Sequence, residues 1–255
     1  RRGHTEAAVG AYLAHGRVHT RADDAQARAR LVDAYLHHRR AGADPYQVVA
    51  LTSSRHDATA LNDQIRQALA TTGLIATHET VVRTDDAERR FATGDLVVIT
   101  HNDHRRGLLN GTRATIERTD RTTLRLHTET GQHAEVPVRW ASDHLDHGYA
   151  LTVHKAQGLT TDLALIYGTA ALSQQAGYVA LSRGRTANHL FTSAQPLART
   201  DPTDELDIPR FQILTHAEPA DALDLLQERL SWSRRHTLAQ QQQPARQVEE
   251  RGLSL

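Results

Sequence analysis

Of the 30 basic side chains only Lys155 is a lysine; the rest are arginine. A phosphate loop, Gly-x-x-x-x-Gly-Lys-[Ser/Thr], needs a lysine, so Lys155 is its only candidate. His154 stands where that loop requires glycine, and Ala156 where it requires Ser or Thr. The chain therefore has no phosphate loop. The single Asp-Glu pair, Asp204-Glu205, follows Pro202-Thr203 rather than an apolar strand and makes a poor Mg²⁺ site. With no Cys there is no thiol nucleophile and no thiolate metal site. The 17 His include two pairs at spacing three, His101/His104 and His144/His147, near Asp103 and Asp143. Both pairs fall in expected loops, where no helix holds both members on one face, so no metal site is expected. The arginines remain. In Ser182-Arg183-Gly184-Arg185 the guanidinium fork suits phosphate oxygens, which it meets bidentately. The plain alternative is a solvated arginine pairing with the last carbonyls of a helix. Taken alone, Lys155 reads as a surface lysine and His154 as a turn histidine.

These residues need elements to position them. Residues 1–46 are rich in Ala and Arg and read as helical, with Ala27, Leu31, Ala34 and Tyr35 at helical spacing. Gly42 and Pro45 end that helix. Gln47–Thr52 reads as a buried strand, Ser53–Asp57 as a polar turn, and Ala58–Leu69 as a helix with Leu61, Ile65 and Leu69 on one stripe. Strand, turn, helix is one unit of an α/β layer. Residues 91–140 change texture. Strands are expected at 94–100, 113–118, 122–128 and 133–138, and Asn110-Gly111 is a strong hairpin signal. From Tyr149 the α/β pattern resumes, with strands at 163–167 and 189–192 around a helix at 172–181. A small β module thus looks inserted into an α/β domain. Residues 200–216 read as loop, Ala220–Leu238 as an amphipathic helix, and the Gln240–Gln243 run onward as linker-like. There is no internal repeat.

Composition bounds the rest. The chain has 255 residues and no formal net charge, which disfavours nucleic-acid binding by bulk charge but leaves room for an Arg-lined groove. No apolar run approaches the roughly 18 residues of a membrane span, so no membrane partner is expected. A hydrophobic share of 39% suffices for a core. There is no Met, and the chain starts Arg1-Arg2-Gly3 without a secretory signal. The expectation is a piece of a longer protein.

Two segments carry most of the information. One is Ala150-Leu151-Thr152-Val153-His154-Lys155-Ala156-Gln157-Gly158-Leu159-Thr160-Thr161-Asp162. The other is Gly177-Tyr178-Val179-Ala180-Leu181-Ser182-Arg183-Gly184-Arg185. They resemble motifs V and VI of superfamily 1 DNA helicases of the RecD-like branch, in order and at the expected separation. Leu51–Arg55 with Leu61–Arg66 looks like the motif IV region. Residues 94–112 are similar to the small β domain inserted in those enzymes. Within the branch, the segments look most like the helicase part of TrwC/TraA-type conjugative relaxases. The resemblance covers roughly residues 45–195.

The resemblance implies a RecA-like second motor domain, α/β in class, at 47–90 and 141–199. A helical segment at 1–46 would lead into it, an SH3-like β module at 91–140 would be inserted in it, and residues 200–255 would form a C-terminal extension. It implies ATP and Mg²⁺ as cofactors, bound mainly by an N-terminal motor domain that this chain lacks. Arg183 would be the arginine finger on the transferred phosphoryl group, an effect worth about a thousandfold or more in related NTPases. Gln157, Gly158 and Arg55 would meet the nucleotide. Thr152, His154 and Lys155 would grip single-stranded DNA, with Arg105, Arg106 and Arg113 as further backbone contacts. Thr160 stands where the wider pattern has an acidic ribose contact. Partners would be single-stranded DNA, the N-terminal motor domain and a relaxase domain of the same polypeptide, in the cytoplasm. The expected function is a motor half of a 5′→3′ DNA helicase, inactive as an ATPase on its own. The alternative is a non-catalytic helicase-like module that binds single-stranded DNA or a partner. A metal-dependent hydrolase would rest on the His pairs alone.

Overall fold

The computed structural model describes residues 15–83, 88–168, 172 and 174–193. The expectations for residues 200–255 lie outside the described residues. Two sheets dominate. The first is parallel throughout, in the order β1 (Val18–Arg21), β12 (Gly184–Ser193), β11 (Thr161–Gly168), β2 (Val48–Thr52), β10 (Ala150–Thr152). Side chains alternate across a strand, so each strand feeds both faces. Val48, Ala50, Leu163, Leu165 and Tyr167 face α1 (Asp24–Arg40) and α2 (Arg55–Thr71), which supply Leu31, Tyr35, Leu61 and Ile65. Val49, Leu51, Ala164 and Ile166 pack on the other face with Ala180 of α4 (Gln174–Leu181). Every residue of β2 is buried, which is why it reads as an unbroken apolar run. Asp23 and Ser54 cap α1 and α2 by accepting from the Gln26 and Asp57 amides.

The second sheet is antiparallel, in the order β8 (His133–Pro137), β7 (Thr123–Thr128), β6 (Arg113–Thr119), β5 (Leu96–Ile99), β9 (Leu145–His147). A hairpin of β3 (Glu79–Arg83) and β4 (Glu88–Ala92) precedes it, and α3 (Val138–His144) leads into β9. Its own core gathers Phe91, Val97, Ile99, Ile116, Leu124, Leu126 and Leu145. In the chain this sheet lies between α2 and β10.

Three local expectations change. Residues 18–21, read as part of a helical stretch, form β1, an edge strand added to β12 by parallel pairing. The β3–β4 hairpin, α3 and β9 were not anticipated; Glu79–Arg83 is charged at both ends and Glu88–Ala92 opens on three charges, so neither strand shows a plain apolar run. Asn110-Gly111 lies not at a hairpin tip but where the chain enters β6, with the Gly111 amide donating to the Ile99 carbonyl. The tip lies at 104–107, inside an Asp103–Leu108 bridge.

Polar seams join the two sheets. Arg66 of α2 directs Nε at both oxygens of fully buried Asp95 (3.1 and 3.0 Å) and Nη1 at Glu79 (2.7 Å). Asp95 also accepts from the Tyr149 hydroxyl at 2.6 Å and the Ala92 amide at 2.7 Å. Burial, and then the Asp95 carboxylate, push the Tyr149 hydroxyl well above its ordinary pKa, so it stays a donor. Burial alone would raise the Glu79 carboxyl, but the Arg66 guanidinium overrides it and holds the group below its usual value. The second seam is Arg113, 1% exposed, which reaches from β6 to the Tyr46 and Val48 carbonyls and pairs with Glu129 at 3.2 Å. Between the seams Gly148 passes so near β5 that a Cβ there would meet the Val97 carbonyl carbon at 2.8 Å.

A half-buried imidazole pair predicts a pH dependence for the fold. His19 of β1 and His189 of β12 share one hydrogen bond, Nε2 to Nδ1 at 3.1 Å, and His19 stacks on Phe191. Burial lowers both pKa values below 6.5; next in order come His189 for His19 and Arg17 for His189. Burial also lowers His147. The unfolded chain therefore binds more protons than the folded one below that value. Stability should be complete above pH 6.5 and fall as the pH drops through the lowered values. Urea midpoints at pH 7.5 and 5.5 will show this, and His19→Gln should flatten the difference. An equal slope in that variant removes the pair as the cause.

Candidate nucleotide and nucleic-acid interface

The segment after β10 is a compact run of turns. Thr152 starts it, its carbonyl accepting from the Ala156 amide (3.0 Å) and its hydroxyl from the Lys155 amide (3.2 Å). The Gln157 amide then donates to the His154 carbonyl, and the Leu159 amide to that of Ala156. Val153 and Ala156 turn inward to the core. His154, Lys155, Gln157 and Gly158 stay exposed. Gly158 has φ +86° with open space around a notional Cβ, so the position needs glycine for its left-handed backbone and not for room. Because β10 and β11 are parallel, this segment runs from the carboxyl end of the sheet back to its amino end.

At that amino end it meets the second segment. Helix α4 ends at Leu181, and Arg183 follows on the turn into β12. Its Nε donates to the Val179 carbonyl (2.9 Å), Nη1 to the Leu159 carbonyl (3.2 Å) and Nη2 to the Ser182 hydroxyl (2.9 Å). Its own carbonyl accepts from the Thr161 amide at 3.0 Å. So Arg183 does take the helix-end position of the plain alternative, and it also binds the Gln157–Thr161 stretch. Arg185 pairs with Asp162 at 2.8 Å on the surface.

The remaining site residues are scattered. Arg55 is the exposed first residue of α2, after the carboxyl end of β2. Thr52 pairs in register with Thr152, so Arg55 belongs with Thr152, His154 and Lys155 at the carboxyl end of the sheet, while Arg183 stands at the amino end. Gln157 and Gly158 lie on the run between them, the Gln157 amide still bonded to the His154 carbonyl. Lys155 approaches Asp146 of β9 at 3.9 Å, a partner the sequence pattern did not single out. Arg105 is exposed on the 101–112 loop. Arg106 is held there by Asp103 at 2.6 Å, which also accepts from the Trp140 indole at 2.9 Å. Arg113 is corrected: expected to contact DNA, it is buried and its guanidinium is spent on Glu129 and two backbone carbonyls. Arg113 and Ala114 open β6 as two consecutive buried residues, so no alternation marks the arginine as inward, and its ionic partner Glu129 lies 16 positions away. The His pairs divide among separate partners. His101 bonds the Asp143 carbonyl, His144 the Trp140 carbonyl and His147 the Arg90 carbonyl. Among the described residues no three His, Asp or Glu stand close enough to hold a metal, and no helix is long and apolar enough to cross a membrane.

Both motif segments thus lie on turns of one parallel α/β sheet. The chain is a homologue of part of the conjugal transfer protein TraA. It is 30% identical over 192 residues to TraA of Rhizobium radiobacter, covering 74% of this chain and 17% of that one. To TraA of Agrobacterium fabrum it is 31% identical over 202 residues, covering 77% and 18%. The chain thus spans less than a fifth of the length of these curated relatives. No family model matches it. Among solved structures it is similar to Pif1 helicase from Bacteroides in complex with ADP-AlF3 and ssDNA. That match has 18% identity, covers 57% of this chain and 40% of that one, and has a TM-score of 0.44. Pif1 helicase from Candida albicans matches at 14% identity over 57% and 44% of the two chains, with a TM-score of 0.38.

Proposed function

We propose that this chain works as the second motor domain of an ATP-dependent 5′→3′ DNA helicase, within a cytoplasmic conjugative relaxase–helicase. The parallel sheet would be its RecA-like core and the antiparallel sheet its SH3-like insert. The observation that carries the reading is the meeting of the two motif segments, where the Arg183 side chain bonds Leu159 and its carbonyl bonds Thr161. ATP and Mg²⁺ would be held mainly by a first motor domain, since this chain has no phosphate loop. Arg183 now faces neutral acceptors. A phosphoryl group gathering negative charge offers stronger, charge-assisted bonds and draws the guanidinium away from them. The Leu159 carbonyl then loses a donor, and the turns back to Thr152 are freed to shift. Thr152, His154 and Lys155, joined by Arg55 at the same end, would hold single-stranded DNA, with Arg105 and Arg106 further out.

The 255-residue chain should show no ssDNA-stimulated phosphate release from ATP while still binding a labelled oligo-dT. Turnover above background by the purified chain refutes the division of labour. A second reading is a scaffold that binds DNA without contributing to hydrolysis. It is favoured by the three contacts that already satisfy the Arg183 guanidinium.

A further inference from the structure

Strand β10 is three residues long and forms an edge of the parallel sheet. Its inner side pairs with β2: the Ala50 amide donates to the Tyr149 carbonyl, and the Val153 amide to the Thr52 carbonyl. The amide and carbonyl of Ala150 point the other way, and Ala150 is only 2% exposed. Among the described residues no strand lies on that side. Instead Asn62 of α2, itself 7% exposed, meets both groups. Its Oδ1 accepts from the Ala150 amide at 2.8 Å and its Nδ2 donates to the Ala150 carbonyl at 3.0 Å. A carboxamide carries one acceptor and two donors in a plane, so it can replace the missing strand neighbour at one residue. Aspartate lacks the donor, and leucine lacks both groups. One helical turn further along α2, Arg66 makes the corresponding tie to Asp95 and Glu79 beside the second sheet.

We propose that Asn62 is a positioning residue. Its two bonds to Ala150 fix β10, and so fix the start of the Thr152–Gly158 turns, to the helix that also holds the antiparallel sheet. The part of this that concerns DNA rests on the function proposed above; the clamp itself does not. Without the carboxamide the buried Ala150 groups have no partner and no water, so β10 is the first element to open.

Hydrogen exchange of the whole chain, with binding of labelled oligo-dT on the same samples, tests this. In Asn62→Leu, peptides covering 148–160 should exchange at least tenfold faster (about one factor of ten per lost buried bond pair). Peptides from α1 and β12 should be unchanged, and oligo-dT affinity should fall about tenfold or more. Asn62→Ala removes both groups with a smaller change of shape and should also speed exchange over 148–160; it serves if the leucine variant does not fold. Unchanged exchange over 148–160, or an equal rise in every peptide, overturns the proposal. Normal oligo-dT binding alongside faster exchange overturns the positioning role. If the wild-type chain itself does not bind oligo-dT, the DNA reading fails, and the exchange result alone decides the clamp.

Discussion

Replacing Arg183 by alanine in the full-length polypeptide should lower ssDNA-stimulated ATP turnover by about a thousandfold. Affinity for single-stranded DNA should stay within a few-fold. The separation follows from geometry. Arg183 sits at the amino end of β11 and β12, while Thr152, Lys155 and Arg55 sit past the carboxyl end of β2 and β10. The variant also removes the side-chain tie to the Leu159 carbonyl, so a purely structural arginine predicts a different outcome. In that case Arg183→Lys, which can still bond one carbonyl, would restore turnover. A transition-state role predicts that it does not, because lysine lacks the planar fork. Turnover near wild type in the alanine variant would leave the scaffold reading standing.

The largest effect on stability is expected at Arg66. Asp95 is fully buried, and Arg66→Ala would strip its only cationic partner among the described residues while two neutral donors, the Ala92 amide and the Tyr149 hydroxyl, remain on it. Breaking such a pair costs about 3–5 kcal/mol, because the remaining charge stays buried. The urea midpoint should drop accordingly. The paired change Arg66→Met with Asp95→Leu should recover much of the loss, since it removes both charges together. If the single and the double variant are equally destabilised, packing and not charge governs the seam. Half-exposed pairs such as Lys155–Asp146 are expected to contribute little by comparison.

What the residues disclosed depended on how far each signal reached along the chain. Val48–Leu51 and Leu163–Tyr167 are unbroken apolar runs because both faces of their strands are covered, and the strands expected around them appear as β2 and β11. The Leu61, Ile65 and Leu69 stripe marks α2 for the same reason. Strand β1 escaped because its partner β12 lies about 170 residues away, and Val18-His19-Thr20-Arg21 has no pattern until it pairs. Arg113 reads as a solvated charge because no local rule announces that a strand arginine will end inside the protein on two distant carbonyls. The motif segments were legible as a pair, but the bond that joins them runs from Arg183 to Leu159, across 24 positions. Asn62 was visible within its motif without any hint that Ala150, 88 positions on, is what it holds.

The Gly148 passage has one more consequence. The antiparallel sheet is tethered by two chain crossings of unequal length. One, from α2 to β3, has seven residues of turn and coil; the other, from β9 to β10, has only Gly148 and Tyr149. The short crossing is pressed against β5 with no room for a side chain. Any swing of one sheet against the other would thus have its fulcrum at Gly148-Tyr149, with the longer crossing as the slack side. Tyr149 is also the residue whose hydroxyl reaches Asp95. Fulcrum and lock are therefore adjacent, and one bulky substitution at Gly148 would disturb both.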